Sequence, residues 1–304
     1  MDIFCTHAQP AAVFLFCRAS PAGKPACHGE KIFLIDYTSD KMKGGNVKMK
    51  FGLCSGLDKM AQAKQLGYDY LELAVNSIAA MTDEEFDAAL AQAKEIGLPV
   101  PSFNCLFPGS IALLAPETTD QEIADYLHGA FKRVQALGGK IVVFGSGRSR
   151  NRPDGMDYGA AFRRLVEVAR IIGDIAGQYG ITAVVEPLNR SETNTINSMA
   201  EGAALVAAAN HPHMKLLCDY YHVARDNEPL TDIVRLGGVA HTHIATLEGR
   251  RHPVEEGPDQ FRLFFRCLRE TNYQGLMSVE GKTDDLAADA PRTLALLRKL
   301  DEEA

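Results

Sequence analysis

From Met49 onward the chain repeats one unit, a short apolar run followed by a longer amphipathic stretch. The runs are Lys50–Ser55, Tyr68–Ala74, Pro99–Cys105, Ile141–Gly145, Ile181–Glu186, Lys215–Asp219, Val239–Ile244 and Gly275–Glu280. They are rich in Val, Ile, Leu and Phe and nearly uninterrupted, as strands covered on both faces are. The stretches between them carry helix signals. Thr82-Asp-Glu-Glu85, Thr119-Asp-Gln-Glu122 and Ser198-Met-Ala-Glu201 each fit a capping box. Gly67, Gly97, Gly139 and Gly180 stand where helical patterns end, as C-terminal caps do. Tyr158–Tyr179 is the longest helical pattern. Strand-then-helix units in this number predict an α/β fold, a single-domain (β/α)8 TIM barrel over residues 49–304. An open doubly wound sheet would be signalled by GxGxxG after the first strand. The chain has Ser55-Gly-Leu-Asp-Lys59 there, and Gly145-Ser-Gly147 is only a fragment of such a turn.

Residues 1–48 lack periodicity and are expected to be a leader, either disordered or placed ahead of a true start at Met49. The short apolar stretch Ala11–Cys17 has no basic segment before it and makes a poor signal peptide. No apolar run reaches the roughly 20 residues that span a membrane, so no membrane partner is expected. A net charge of −7 argues against a nucleic-acid surface. The seven cysteines include no CxxC pair, which favours a reducing compartment, the cytoplasm. Cys54, Cys105 and Cys218 fall in strand runs and are expected as buried free thiols.

A barrel of this kind builds its active site at the C-terminal ends of its strands. The fifth run ends in Glu186, the sixth in Asp219, the seventh carries His241-Thr-His243 and the eighth ends in Glu280; the second carries Glu72. A lone Glu at a strand end is usually a capping or ion-paired group, and a lone His usually a satisfied core residue. Four such residues in register on successive strands are different, because burying carboxylates in an apolar barrel is costly without a cation. Three carboxylates and one imidazole suit a hard or borderline divalent ion, Mn²⁺ first, with Co²⁺ or Mg²⁺ as alternatives. His243 is the expected seventh-strand ligand. His241 points the same way from deeper in the barrel. Glu72 is either a substrate contact or a structural ion pair. Arg148, Arg150 and Arg152 are read as solvated or subunit-contact groups, and Phe103, Phe107 and Phe144 as core or as an apolar wall.

Glu186-Pro-Leu-Asn-Arg-Ser-Glu192, Asp219-Tyr-Tyr-His222, His241-Thr-His243 and Val279-Glu280 resemble the xylose-isomerase-like barrel superfamily. Within it they are most similar to ketose 3-epimerases (D-tagatose/D-psicose 3-epimerase) and related sugar phosphate isomerase/epimerase proteins. The resemblance implies that Glu186, Asp219, His243 and Glu280 bind one divalent metal ion and that Glu186 and Glu280 are also the catalytic acid/base pair. It implies that Glu192, His222 and Arg250 bind substrate; Glu72, from its place on the second run, is a further candidate beside them. The stretch Ile244–Gly249 departs from the epimerase pattern, which leaves open which of Arg250 and Arg251 points inward. The expected activity is a metal-dependent sugar isomerase or epimerase, with hydroxypyruvate-type keto acid isomerase and inosose dehydratase as alternatives. Endonuclease-IV-like DNA repair and a non-catalytic sugar-binding barrel fit less well. The expected partners are a small sugar and further copies of the chain, as a dimer or tetramer.

Overall fold

The computed structural model describes residues 48–304, and the expected leader lies outside them apart from Lys48. The strands are β1 (Lys50–Cys54), β2 (Tyr70–Ala74), β3 (Ser102–Asn104), β4 (Ile141–Phe144), β5 (Thr182–Val185), β6 (Met214–Asp219), β7 (His241–Ile244) and β8 (Leu276–Val279). They pair in chain order, all parallel, and β8 closes on β1. The main crossover helices are α1 (Met60–Leu66), α3 (Asp83–Ile96), α4 (Asp120–Ala136), α5 (Tyr158–Gln178), α6 (Met199–Ala209), α9 (Phe261–Glu270) and α10 (Leu286–Glu303). Three short helices were not foreseen: α2 (Val75–Ala79), α7 (Tyr220–Arg225) and α8 (Asp232–Arg235). Each is too short to show a hydrophobic period in the sequence. Among the described residues no helix is long and apolar enough to cross a membrane.

The expected boundaries shift for local reasons. Pro99 and Pro101 cannot donate into a ladder, so β3 starts only at Ser102, although both proline carbonyls still accept from neighbouring strands. Capping boxes form at Thr82 and Thr119. At Ser198 only half of one forms, because the Glu201 carboxylate reaches the N–H of Asn197. Gly67, Gly97 and Gly180 take left-handed backbone as expected. After α4 that position belongs to Gly138 (φ 93), not Gly139. Gly139 answers to crowding instead, since a Cβ there would lie 2.3 Å from Val134 and 2.7 Å from the Phe103 ring.

The main apolar core lies between barrel and helices and includes Phe51, Leu71, Phe103, Phe131, Leu165 and Phe264. A separate cluster of Val143, Val184 and Leu217 fills the lumen one layer below Glu186 and Asp219, two residues earlier on β5 and β6. The other half of the lumen is polar: Tyr70, Glu72, Ser102, His241, His243 and Ser278 are each 0–1 % exposed. Gly52 makes room for this half, because a Cβ on it would fall 2.1 Å from the Tyr70 ring. Gly52→Ala is therefore expected to cost roughly 1–3 kcal/mol, the usual penalty of overpacking. Thermal denaturation measures it, and a variant as stable as its parent would show that the ring has room to move.

Candidate active site

Glu186, Asp219 and Glu280 each stand at, or one residue past, the C-terminal end of a strand. Asp219 closes β6 and pairs in register with His243 of β7, which pairs with Ser278 of β8. Glu280, two residues beyond Ser278, faces the same way. Glu186 follows β5 and donates its N–H to the Phe144 carbonyl at 3.2 Å. One ligating atom from each of Glu186, Asp219, His243 and Glu280 lies within 4.8 Å of all the others. His243 Nδ1 is 3.3 Å from Glu186 Oε1 and 3.2 Å from Glu280 Oε2. Such spacing matches adjacent ligands around an ion whose bonds are about 2.1 Å long.

Asp219 has two tasks. Its Oδ1 accepts from the Tyr221 N–H and caps α7, which turns His222 back over the cluster. The His222 Nδ1 accepts from the Asn189 N–H at 3.2 Å, so in the neutral ring the proton sits on Nε2. That Nε2 is buried without a hydrogen-bond partner, 3.5 Å from Asp219 Oδ2 and 3.9 Å from Glu186 Oε1. Burial lowers the His222 pKa and favours this neutral form.

The charges are crowded. Burial pushes the Asp219 carboxyl up to about 6, with Arg250 opposing and the Glu280 charge adding to the rise. Burial acts the same way on Glu280, but His243 and Arg250 outweigh it and hold that carboxyl down to about 2. Arg250 Nη2 lies 2.7 Å from Glu280 Oε2 and 3.3 Å from Asp219 Oδ2, and Nη1 lies 3.3 Å from Glu192 Oε1. The guanidinium also stacks 4.6 Å above the Tyr221 ring. Arg250 is thus the inward arginine, while Arg251 turns out to pair with Asp284. The oxygen-rich donor set and the converging ligand atoms of Glu186, Asp219, His243 and Glu280 fit a divalent cation.

A family model described as xylose isomerase-like TIM barrel matches residues 60–300. The chain belongs to the xylose isomerase-like TIM barrel family. Among its relatives, the 3-dehydro-D-guloside 4-epimerase of Escherichia coli (strain K12) is 27% identical, over 84% of this chain and 99% of that one. The D-psicose 3-epimerase of Agrobacterium fabrum is 26% identical, over 74% of this chain and 77% of that one. A crystal structure of a D-psicose 3-epimerase in the presence of D-fructose shares the fold, with a TM-score of 0.73, 22% identity and coverage of 83% of this chain and 99% of that one.

This xylose isomerase-like barrel gathers Glu186, Glu192, His222, Arg250 and Glu280 around one cavity of about 310 Å³. Glu72 takes the structural ion-paired arrangement. It does not line that cavity but touches an adjoining one of about 460 Å³, is fully buried, and both its oxygens already have partners. Oε1 accepts from His243 Nε2 at 2.9 Å; Oε2 accepts from His241 Nε2 at 2.8 Å, Ser102 Oγ at 2.7 Å and Ser278 Oγ. The arginines of the β4–α5 loop also divide. Arg148 is exposed at the cavity rim, and Arg152 bonds the Met156 carbonyl. Arg150, read as solvated or a subunit contact, is wholly buried and donates to the Phe144 and Glu186 carbonyls at 3.1 and 2.7 Å. Phe107 lines the cavity, whereas Phe103 and Phe144 are core. Cys218 is buried as expected, but Cys105 is exposed, because β3 ends before it and the chain turns there at φ 49.

Sequence reasoning missed several residues. Asn189 Nδ2 lies 2.8 Å from His222 Nδ1 and 3.0 Å from Glu192 Oε1, and Asn104 Nδ2 lies 3.3 Å from Glu280 Oε1. Gly145 is more than a turn residue: a Cβ on it would sit 2.2 Å from Glu186 Oε2. Cys105 (φ 49), Ser146 (φ 39) and Arg250 (φ 49) all hold left-handed backbone at the mouth of this one cavity.

Proposed function

We propose that the protein is a metal-dependent epimerase of a small keto sugar, with Glu186 and Glu280 as the acid/base pair. The observation that carries this reading is the convergence of Glu186, Asp219, His243 and Glu280, two of them glutamates able to exchange protons. A divalent ion held there, Mn²⁺ or else Co²⁺ or Mg²⁺, supplies Lewis-acid stabilisation of the negative charge that develops on the substrate oxygens. Either glutamate removes the proton from the carbon beside the carbonyl. The other delivers one to the opposite face and inverts the centre. His222 Nε2–H and Arg250 donate to substrate oxygens, and Glu192, joined to Arg250 and Asn189, orients them. The reading extends to a homo-oligomer in the cytoplasm acting on a free ketose at carbon 3. The guloside 4-epimerase, matched over most of both chains, favours a second reading in which the ketone lies in a sugar ring and the inverted carbon beside it.

Solvent labelling tests the mechanism. Turnover in D₂O is expected to place deuterium on the carbon adjacent to the carbonyl, because carboxylates reached by water deliver a solvent proton. A panel of free ketoses, ring ketones, sugar phosphates and hydroxypyruvate, each with Mn²⁺, identifies the substrate class. A product formed in D₂O without carbon-bound deuterium would exclude the two-glutamate mechanism and favour an internal hydride shift.

A further inference from the structure

Glu72 has no place in the proton chemistry, yet it is among the most heavily hydrogen-bonded carboxylates of the described structure. It reaches from β2 across the lumen to β7, where His241 and His243 stand two residues apart on one face and each direct Nε2 at a different Glu72 oxygen. Ser102 of β3 and Ser278 of β8 donate to the oxygen that His241 uses, and Ser278 in turn contacts the Tyr70 hydroxyl at 2.7 Å. An ionised carboxylate is acceptor-only. All four donors are satisfied when that carboxylate is ionised.

The direction of these bonds bears on His243. A neutral imidazole has one protonated and one bare nitrogen, and a partner on one nitrogen decides the other. In the neutral ring that a metal ion requires, an Nε2–H committed to Glu72 leaves Nδ1 bare, and Nδ1 is the atom that faces Glu186 and Glu280. We propose that Glu72 is a positioning residue that locks His243 as the Nε2–H tautomer, so that Nδ1 presents its lone pair to the Glu186–Asp219–Glu280 group. The role rests on the reading of that group as a metal site, and it replaces the substrate contact expected from the sequence. Carboxylates that orient a ligating histidine typically govern 10- to 100-fold in metal affinity. Cys54 also comes within 4.8 Å of Glu72 and His243.

The test uses the full chain loaded with Mg²⁺, which is diamagnetic, and selectively ¹⁵N-labelled histidine. Long-range ¹⁵N correlation spectra are expected to show His243 protonated at Nε2 and bare at Nδ1. Glu72→Gln is expected to weaken Mn²⁺ binding, read by calorimetry, about 10- to 100-fold and to shift both the His241 and His243 ring signals. Observing His243 protonated at Nδ1 in the loaded wild-type protein would overturn the proposal without recourse to a variant. So would a folded Glu72→Gln protein with unchanged Mn²⁺ affinity and unchanged His243 tautomer, while leaving the metal site itself standing. Failure of the wild-type protein to bind either ion would remove the metal site and this role together.

Discussion

Glu186→Gln and Glu280→Gln are each expected to lower turnover at least about a hundredfold, the low end of what a positioned acid or base contributes. Glutamine keeps the size and one carbonyl oxygen of each side chain but cannot take a proton. Both residues sit at strand ends whose backbone is fixed by the β4–β5 and β7–β8 ladders, so the amides should occupy nearly the same positions. Glu192→Gln is expected to cost less, because Glu192 is more exposed and bonds to Arg250 and Asn189 rather than to the acid cluster. Steady-state kinetics on the substrate found by the panel measures all three. An indispensable Glu192 beside a dispensable Glu280 would reverse the assigned roles.

Chelation is expected to abolish turnover, with Mn²⁺ or Co²⁺ restoring it. The carboxylates of Glu186, Asp219 and Glu280 crowd around His243, with Arg250 as the only arginine or lysine bonded to them among the described residues. Burial, with the Glu280 charge adding, pushes Asp219 up to about 6 against the pull of Arg250, a sign that its charged form is only partly compensated. Asp219→Asn and His243→Ala should each lower metal occupancy, measured by elemental analysis of the purified protein. A metal-free protein as active as the loaded one would rule out the proposed chemistry.

The barrel was legible because buried parallel strands read as apolar runs and because three carboxylates and an imidazole recur at one end of them. The acid cluster follows from that register alone. Arg150 was read as solvated or a subunit contact, and Glu72 was left between a substrate contact and a structural ion pair, for a shared reason: burial of a charged side chain depends on partners distant in sequence. Glu72 meets Ser102, His241, His243 and Ser278 only once the barrel closes. Arg150 looks like one of three loop arginines until its guanidinium is found against backbone carbonyls. Glycines at 52 and 145 carry a signal just as hidden, since what each must leave room for, the Tyr70 ring or the Glu186 carboxylate, belongs to another strand.

The left-handed backbone at Cys105, Ser146 and Arg250 bears on how this fold divides stability from activity. A residue with a Cβ held there costs on the order of 1 kcal/mol or more. Three at one mouth thus offset a few kcal/mol, set against a net stability of about 5–15 kcal/mol for a typical domain. Glycine at any of them would hold the same conformation without that penalty, so selection for thermal resilience alone would replace these side chains. Ile196, Asn210, Asn227 and Asn272 hold positive φ as well, so the mouth carries three of the seven such non-glycine residues among the described ones. Variants selected only for heat tolerance should accumulate changes at these positions, and lose turnover where the mouth is altered.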